Sequence, residues 1–240
     1  MILLIQFRND QSGWHELKCV YSSMGTGYCQ IQTVNLYSDH LSLNDLHKLA
    51  KGSNGIIIGG LGSLSYGEEE KAKKVKFNEI RNKALYFLHK IMNLKKNPPV
   101  LGMCFGHQLI AEVLGSTVKP DMHQAETGTF KIKLTSEALK DPLYKGISSS
   151  FYAIEGHKDG VQQLPKNSTL LCFSKKCKVQ SFKYKHNIYG VQFHPEMNIA
   201  DLEFRLSLYP SYSKNPININ KNINIDQPKK ILKNFLELCK

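Results

Sequence analysis

The chain has 240 residues and a mass of 27.2 kDa, with 41% hydrophobic and 22% charged residues. That composition excludes a disordered chain and predicts one domain over 1–240 whose core needs no disulfide or metal to stabilise it. No apolar run approaches the ~18 residues of a membrane span, and the apolar start Met1–Ile5 runs directly into Gln6, Arg8 and Asp10, without the basic region or cleavage site of an export signal. The formal net charge is +12.

Residues 1–7 read as a short buried strand, and Gln11–Tyr21 as a helix carrying Trp14 toward the core or its rim. Tyr28–Leu36 is strand-like by its β-branched content. Ser42–Ala50 reads as a short helix with Ser42 as cap and Asp45 three residues on. Gly55–Gly60 is a third buried strand that enters a glycine turn. From about Glu68 to Leu94 a long amphipathic helix is predicted, with Phe77, Ile80, Ala84, Leu88 and Ile91 as its buried stripe. Nine Lys and Arg between 71 and 96 face a single acid, Glu79. That run reads first as a solvated helix face, and no nucleic-acid-binding signature accompanies it, so nucleic acid is not expected as a partner.

Pro98-Pro99 stops that helix. Val100–Met103 is a fourth strand, followed at once by a helix from Phe105 to Leu114. Strands and helices alternate to this point, which implies a parallel sheet covered on both faces. Beyond it, Thr127–Leu134, Phe151–Ile154, Leu170–Phe173, Val179–Tyr184 and Ile188–Phe193 are short strands of antiparallel character. Helices return at Ile199–Leu206 and Lys229–Cys239. Pro210–Pro228 is low-complexity and reads as a surface excursion.

Gly102-Met103-Cys104-Phe105-Gly106-His107-Gln108 carries the chemistry. It follows a buried strand and opens a helix, the pattern of a nucleophile elbow with Cys for Ser. Glycines two residues either side of Cys104 leave room for crossing backbone in a strained turn. The turn lifts the sulfur to the carboxyl end of the sheet, the helix N-terminus favours thiolate, and the Phe105 N–H points to a forming oxyanion. Some ninety residues on, His194-Pro195-Glu196 ends another strand. There Glu196 can orient the imidazole of a general base. His107, directed along its own helix, reads as packing. Cys19, Cys29, Cys172, Cys177 and Cys239 lack an elbow and read as small core residues in a reduced, cytoplasmic protein. No Cys/His group has zinc spacing, so no metal or cofactor is expected.

Cys104–Gln108 with His194–Glu196 resembles the two hallmark motifs of class I (triad) glutamine amidotransferase domains. The elbow segment Leu101–Ala111 is similar to the glutaminase part of GMP synthetases and to stand-alone γ-glutamyl peptidases. The resemblance implies a doubly wound, mostly parallel flavodoxin-like α/β sheet with a small antiparallel addition. It also implies a Cys104–His194–Glu196 triad that forms a γ-glutamyl thioester from glutamine or a γ-glutamyl compound. It places the Gly60 N–H as a second oxyanion donor, in a loop where Leu61 stands for the usual proline, and Gly62 and Gln108 against substrate. Glu155–Val161 resembles a pocket-lining stretch, with Gly156 where Ser is usual and His157 and Asp159 as pocket neighbours. Glu126-Thr127-Gly128 resembles a structural turn of these domains. No phosphate-binding loop of an ATP-using synthetase is present in the 240 residues. The expectation is therefore a stand-alone hydrolase. The alternatives are a glutaminase subunit docking a synthetase through the basic helix at 71–96, and a regulatory protein on the same scaffold.

Overall fold

The computed structural model describes residues 1–25, 30–94, 96–209 and 217–240. Its elements are β1 (Ile2–Phe7), α1 (Gln11–Met24), β2 (Ile31–Asn35), α2 (Leu43–Lys51), β3 (Gly55–Leu61), α3 (Lys71–Met92), β4 (Val100–Met103) and α4 (Phe105–Val113), then β5 (Val118–Pro120), β6 (Glu126–Leu134), β7 (Ser150–His157), β8 (Asp159–Val161), β9 (Ser168–Phe173), β10 (Ser181–Tyr184), β11 (Ile188–Val191), α5 (Ile199–Leu208) and α6 (Lys229–Leu238).

Nine strands form one sheet in the order β2-β1-β3-β4-β11-β10-β9-β6-β7. The pairings from β2 to β11 are parallel. Those from β11 to β7 are antiparallel, so the antiparallel part continues the main sheet. A separate pair, β5 with β8, is antiparallel. Nothing in the sequence announces it, because three-residue strands carry too little periodicity to register.

The alternation of each central strand sorts its side chains to two cores. Leu3, Ile5, Ile56, Ile58 and Val100 face α2, α3 and α4. Ile2, Leu4, Ile57, Leu101, Met103 and Tyr189 face α1 and α6. A sheet buried on both faces accounts for the unbroken apolar runs of β1 and β3. The α3 stripe is buried as expected, joined by Phe87 and Met92. Ser42 caps α2 by accepting from the Asp45 N–H, and Asn198 and Asp201 form a reciprocal capping box on α5.

Three expectations shift. Trp14 is 70% exposed, not core: α1 turns His15, Glu16, Cys19 and Val20 inward and leaves Trp14 on the opposite side. Tyr28 and Cys29 lie outside the described residues, and the strand placed there begins at Ile31. The 210–228 stretch is not wholly an excursion. Residues 210–216 are outside the described set, but from Asn218 the chain docks on β6. Thr129 N–H donates to Asn218 O at 2.6 Å, and Asn218 N–H to Thr127 O at 2.9 Å. Gly128 makes this possible, because its φ is +125° and a Cβ there would meet the Asn218 carbonyl. Ile225 then packs with Ile154, Met197 and Leu202.

Cys19, Cys172, Cys177 and Cys239 are buried. No helix among the described residues is long and apolar enough to cross a membrane.

Candidate active site

The parallel register sets the site. Gly190 pairs with Gly102 and Val191 with Met103, so β4 and β11 end side by side and their next residues, Cys104 and the His194 turn, emerge together. Cys104 has φ +53° and ψ −103° at the N-cap of α4, a conformation that costs an L-residue of order 1–3 kcal/mol and that persists only where the surroundings impose it. Its N–H is held by Val191 O at 2.9 Å. A Cβ on Gly106 would lie 2.2 Å from Ile58 O, and one on Gly102 only 2.4 Å from the Gly106 backbone. Both glycines are therefore required by close approach of backbone, as the motif predicted.

His194 is anchored from β7, its N–H donating to Ile154 O at 2.8 Å. Its Nδ1 lies 2.8 Å from Glu196 Oε1, and it lines one cleft together with Cys104. Burial alone would pull the imidazole down. The Glu196 carboxylate and then the Cys104 sulfur outweigh it and raise the group to about 10. Burial likewise works against ionised Glu196, but the facing His194 holds its carboxyl below the usual range. Ser23 Oγ donates to Glu196 O at 3.1 Å and secures the turn. Cys104 is partly exposed, while His194 and Glu196 are buried.

The Gly60 N–H, expected to face an oxyanion, is already engaged: it donates to Glu16 Oε1 at 2.9 Å. Glu16 also accepts from Arg8 Nε at 3.2 Å and Gln6 Nε2 at 3.1 Å. A Cβ on Gly60 would lie 2.7 Å from Arg8 Nη2, 3.4 Å from His194 Cε1 and 3.7 Å from Cys104 Cβ, so Arg8 comes close to both Cys104 and His194. Burial disfavours its charge, but Glu16 overcomes this and keeps Arg8 cationic. Phe105 opens α4 beside Cys104, its ring edge-on to Phe7 at 5.1 Å.

Gln108, His157 and Asp159 come together. Gln108 Nε2 donates to Asp159 O at 2.9 Å and to Gln192 Oε1 at 3.1 Å. His157 Nδ1 lies 3.1 Å from the same Asp159 carbonyl. All three are buried, so the stretch is not a surface turn. Gly62 is not part of that group and lies against Tyr209 and Arg8. His107 is fully buried on Phe182, and burial pushes it down to about 3, so it is neutral packing.

Four residues at the site, Arg8, Glu16, Tyr209 and Arg205, were not legible in the sequence. Arg8 and Glu16 left one faint signal, a charged residue directly after a buried strand and an acid on the inward face of the next helix. Arg205 left none. Two groups of ligand-type side chains also converge among the described residues: His15 with Cys19 and Asp201, and Glu126 with Glu155 and His157. In the first, His15 Nδ1 accepts from Arg205 Nε at 2.8 Å and Nε2 faces Asp201 Oδ1 at 3.1 Å. In the second, burial and then Glu126 push Glu155 well above the usual carboxylate range.

The family model described as Glutamine amidotransferase class-I matches residues 20–203. A glutamine-hydrolyzing GMP synthase subunit from Methanosphaera stadtmanae is 39% identical over 105 residues, covering 43% of this chain and 54% of that protein. Gamma-glutamyl peptidase 5 from Arabidopsis thaliana is 31% identical over 147 residues, covering 60% and 54%. The chain thus spans about half the length of these curated relatives. In fold it is similar to the crystal structure of a glutamine amidotransferase from Thermotoga maritima, with a TM-score of 0.63 at 20% identity over 99% of this chain and 95% of that one.

Proposed function

The chain belongs to the glutamine amidotransferase class-I family, and from that premise we propose that it is a cysteine-dependent hydrolase of the γ-carbonyl of glutamine or a γ-glutamyl compound, active without a partner. One observation carries the reading: a Cys in left-handed backbone at an elbow, sharing a cleft with a histidine whose Nδ1 lies 2.8 Å from a buried glutamate. His194, as base, holds the proton taken from the Cys104 thiol while the sulfur attacks the γ-carbon and the carbonyl electrons move onto oxygen. His194 then gives that proton up as acid. The C–N bond breaks, nitrogen takes the bonding pair and the His194 proton, and ammonia or an amine departs. His194 then accepts a proton from water as the water adds to the thioester, and glutamate and thiol are released. Glu196 orients the ring and balances the imidazolium. With the Gly60 N–H held by Glu16, the oxyanion relies on the Phe105 N–H and the N-terminus of α4. Gln108, His157 and Asp159 line the glutamyl side.

The test is turnover of glutamine and γ-glutamyl peptides by the purified chain, with Cys104→Ala as control, counting released ammonia and glutamate. Cys104-dependent release supports the reading. No turnover, together with no labelling of Cys104 by a glutamine-like chloroketone, overturns it.

A second reading rests on the similarity to the glutamine-hydrolyzing GMP synthase subunit. Here the chain supplies ammonia to a separate synthetase docked on the basic face of α3. It predicts labelling of Cys104 but slow turnover alone, with acceleration on adding the partner. Full activity alone excludes it.

A further inference from the structure

Arg205 is 6% exposed on α5, and its only hydrogen bond among the described residues is from Nε to His15 Nδ1 at 2.8 Å. Nη2 is buried without a partner. Glu16 and Glu196 are close enough to influence the guanidinium, yet neither bonds to it. Glu16 is committed to Gln6, Arg8 and Gly60, and Glu196 Oε1 to His194. A buried cation with open donors is costly unless something completes it. Nor is Arg205 loosely placed. Because His15 Nδ1 accepts from it, His15 carries its proton on Nε2, toward Asp201.

Arg205 also lines the cleft that holds Cys104, Gly156 and His194, with Leu61, Met197, Leu202, Leu206 and Tyr209 around it. Arg8 lines it too, but its charge is matched by Glu16. His194 lines the cleft, so a departing nitrogen that takes its proton leaves into it. Gln108 and Asp159 are not among its walls and close on each other. Ammonia leaving from glutamine would leave the apolar walls and the arginine untouched. An amine bearing a carboxylate would use both.

Building on the hydrolase reading, we propose that the cleft between Cys104 and α5 binds the leaving half of a γ-glutamyl amino acid or peptide, with the Arg205 guanidinium as anchor for that group's carboxylate. The bond broken is the γ-glutamyl C–N bond, and the amine leaves with its carboxylate and the proton from His194. Water then hydrolyses the thioester. Arg205 is thus a specificity residue that selects γ-glutamyl compounds with an acidic leaving group.

The test separates this subsite from the chemistry. Binding of γ-glutamyl-glycine and of its C-terminal amide to the Cys104→Ala chain is measured by calorimetry. The carboxylate is expected to bind about 10- to 100-fold more tightly, the range of a charge-assisted hydrogen bond. Arg205→Met should erase that preference and Arg205→Lys should keep part of it, which supplies a folded comparison should the Met variant not fold. Equal affinities, no binding of either ligand, or a preference undiminished in the variants overturns the proposal. If the two ligands bind equally while Cys104 still turns over glutamine, only the subsite falls. Absence of both turnover and labelling removes the hydrolase reading itself.

Discussion

Glu16 reaches from α1 across the end of the sheet and accepts the Gly60 N–H at 2.9 Å, while pairing with the buried Arg8 at 3.2 Å. One carboxylate therefore fixes the end of β3 and neutralises the guanidinium near Cys104. Glu16→Ala would leave Arg8 buried and uncompensated, with an orphaned N–H. A loss of about 3–5 kcal/mol of stability is expected, the usual cost of breaking a buried pair from one side. Urea unfolding of the variant checks it. A loss below about 1 kcal/mol would mean the pair is screened by solvent.

Glu196→Gln keeps a hydrogen-bonding group at His194 but removes the charge that stabilises the imidazolium. Turnover is expected to fall by about 10²- to 10⁴-fold, with KM changed little, because orientation and charge are lost and substrate binding is not. Steady-state kinetics on glutamine reads the split. A fully active Glu196→Gln would reduce the triad to a Cys104–His194 dyad.

The proton on His194 makes folding stability depend on pH in a definite direction. Its folded value is raised to about 10 from an ordinary 6.5. The folded state thus binds the proton more tightly, and the stabilisation is complete below about pH 6.5. It is lost as pH rises from there through about 10. Glu196, held below its usual range, acts at the other end. Its contribution is present above the ordinary carboxylate value and is lost as acid titrates the folded group. Stability should therefore fall toward both alkali and strong acid. In Glu196→Gln the fall between pH 7 and 10 should flatten, as measured by denaturant unfolding across that range. An identical slope in the variant would mean that Glu196 does not set the His194 proton affinity.

Gly128→Ala tests the docking of the chain after Asn218. The added methyl meets the Asn218 carbonyl in a backbone conformation that alanine resists. A loss of about 1–3 kcal/mol is expected, with faster amide exchange at Asn218 and around Ile225. Exchange as slow as in the parent chain would show that Ile225 and its neighbours hold the segment without β6.

Arg81 on α3 pairs with Glu112 on α4, and Lys76 is bonded to Glu79 at 3.2 Å. The basic helix is therefore partly neutralised within the fold, in keeping with a solvated face. Spacing along the chain shows which side of α3 is buried, because a stripe such as Phe77–Ile80–Ala84 is a local property of a 3.6-residue period. The Glu112 partner of Arg81 comes from a segment about thirty residues away, and no periodicity reports it.

The elbow around Cys104 and the His194–Glu196 turn were legible for the same reason: each is a local constraint on backbone, and glycine and proline announce such constraints. Local pattern was therefore enough to find the elbow at Cys104, the His194–Glu196 turn and a sheet covered on both faces. Packing alone shows that Glu16 holds the Gly60 N–H, that Asn218 docks on Gly128, and that Arg205 lines the Cys104 cleft with an unpartnered Nη2. Those relationships join residues 44, 90 and 101 positions apart. An arginine on a helix has the same local pattern whether water or a buried cleft surrounds it, and only the packing of α5 against α1 selects between the two.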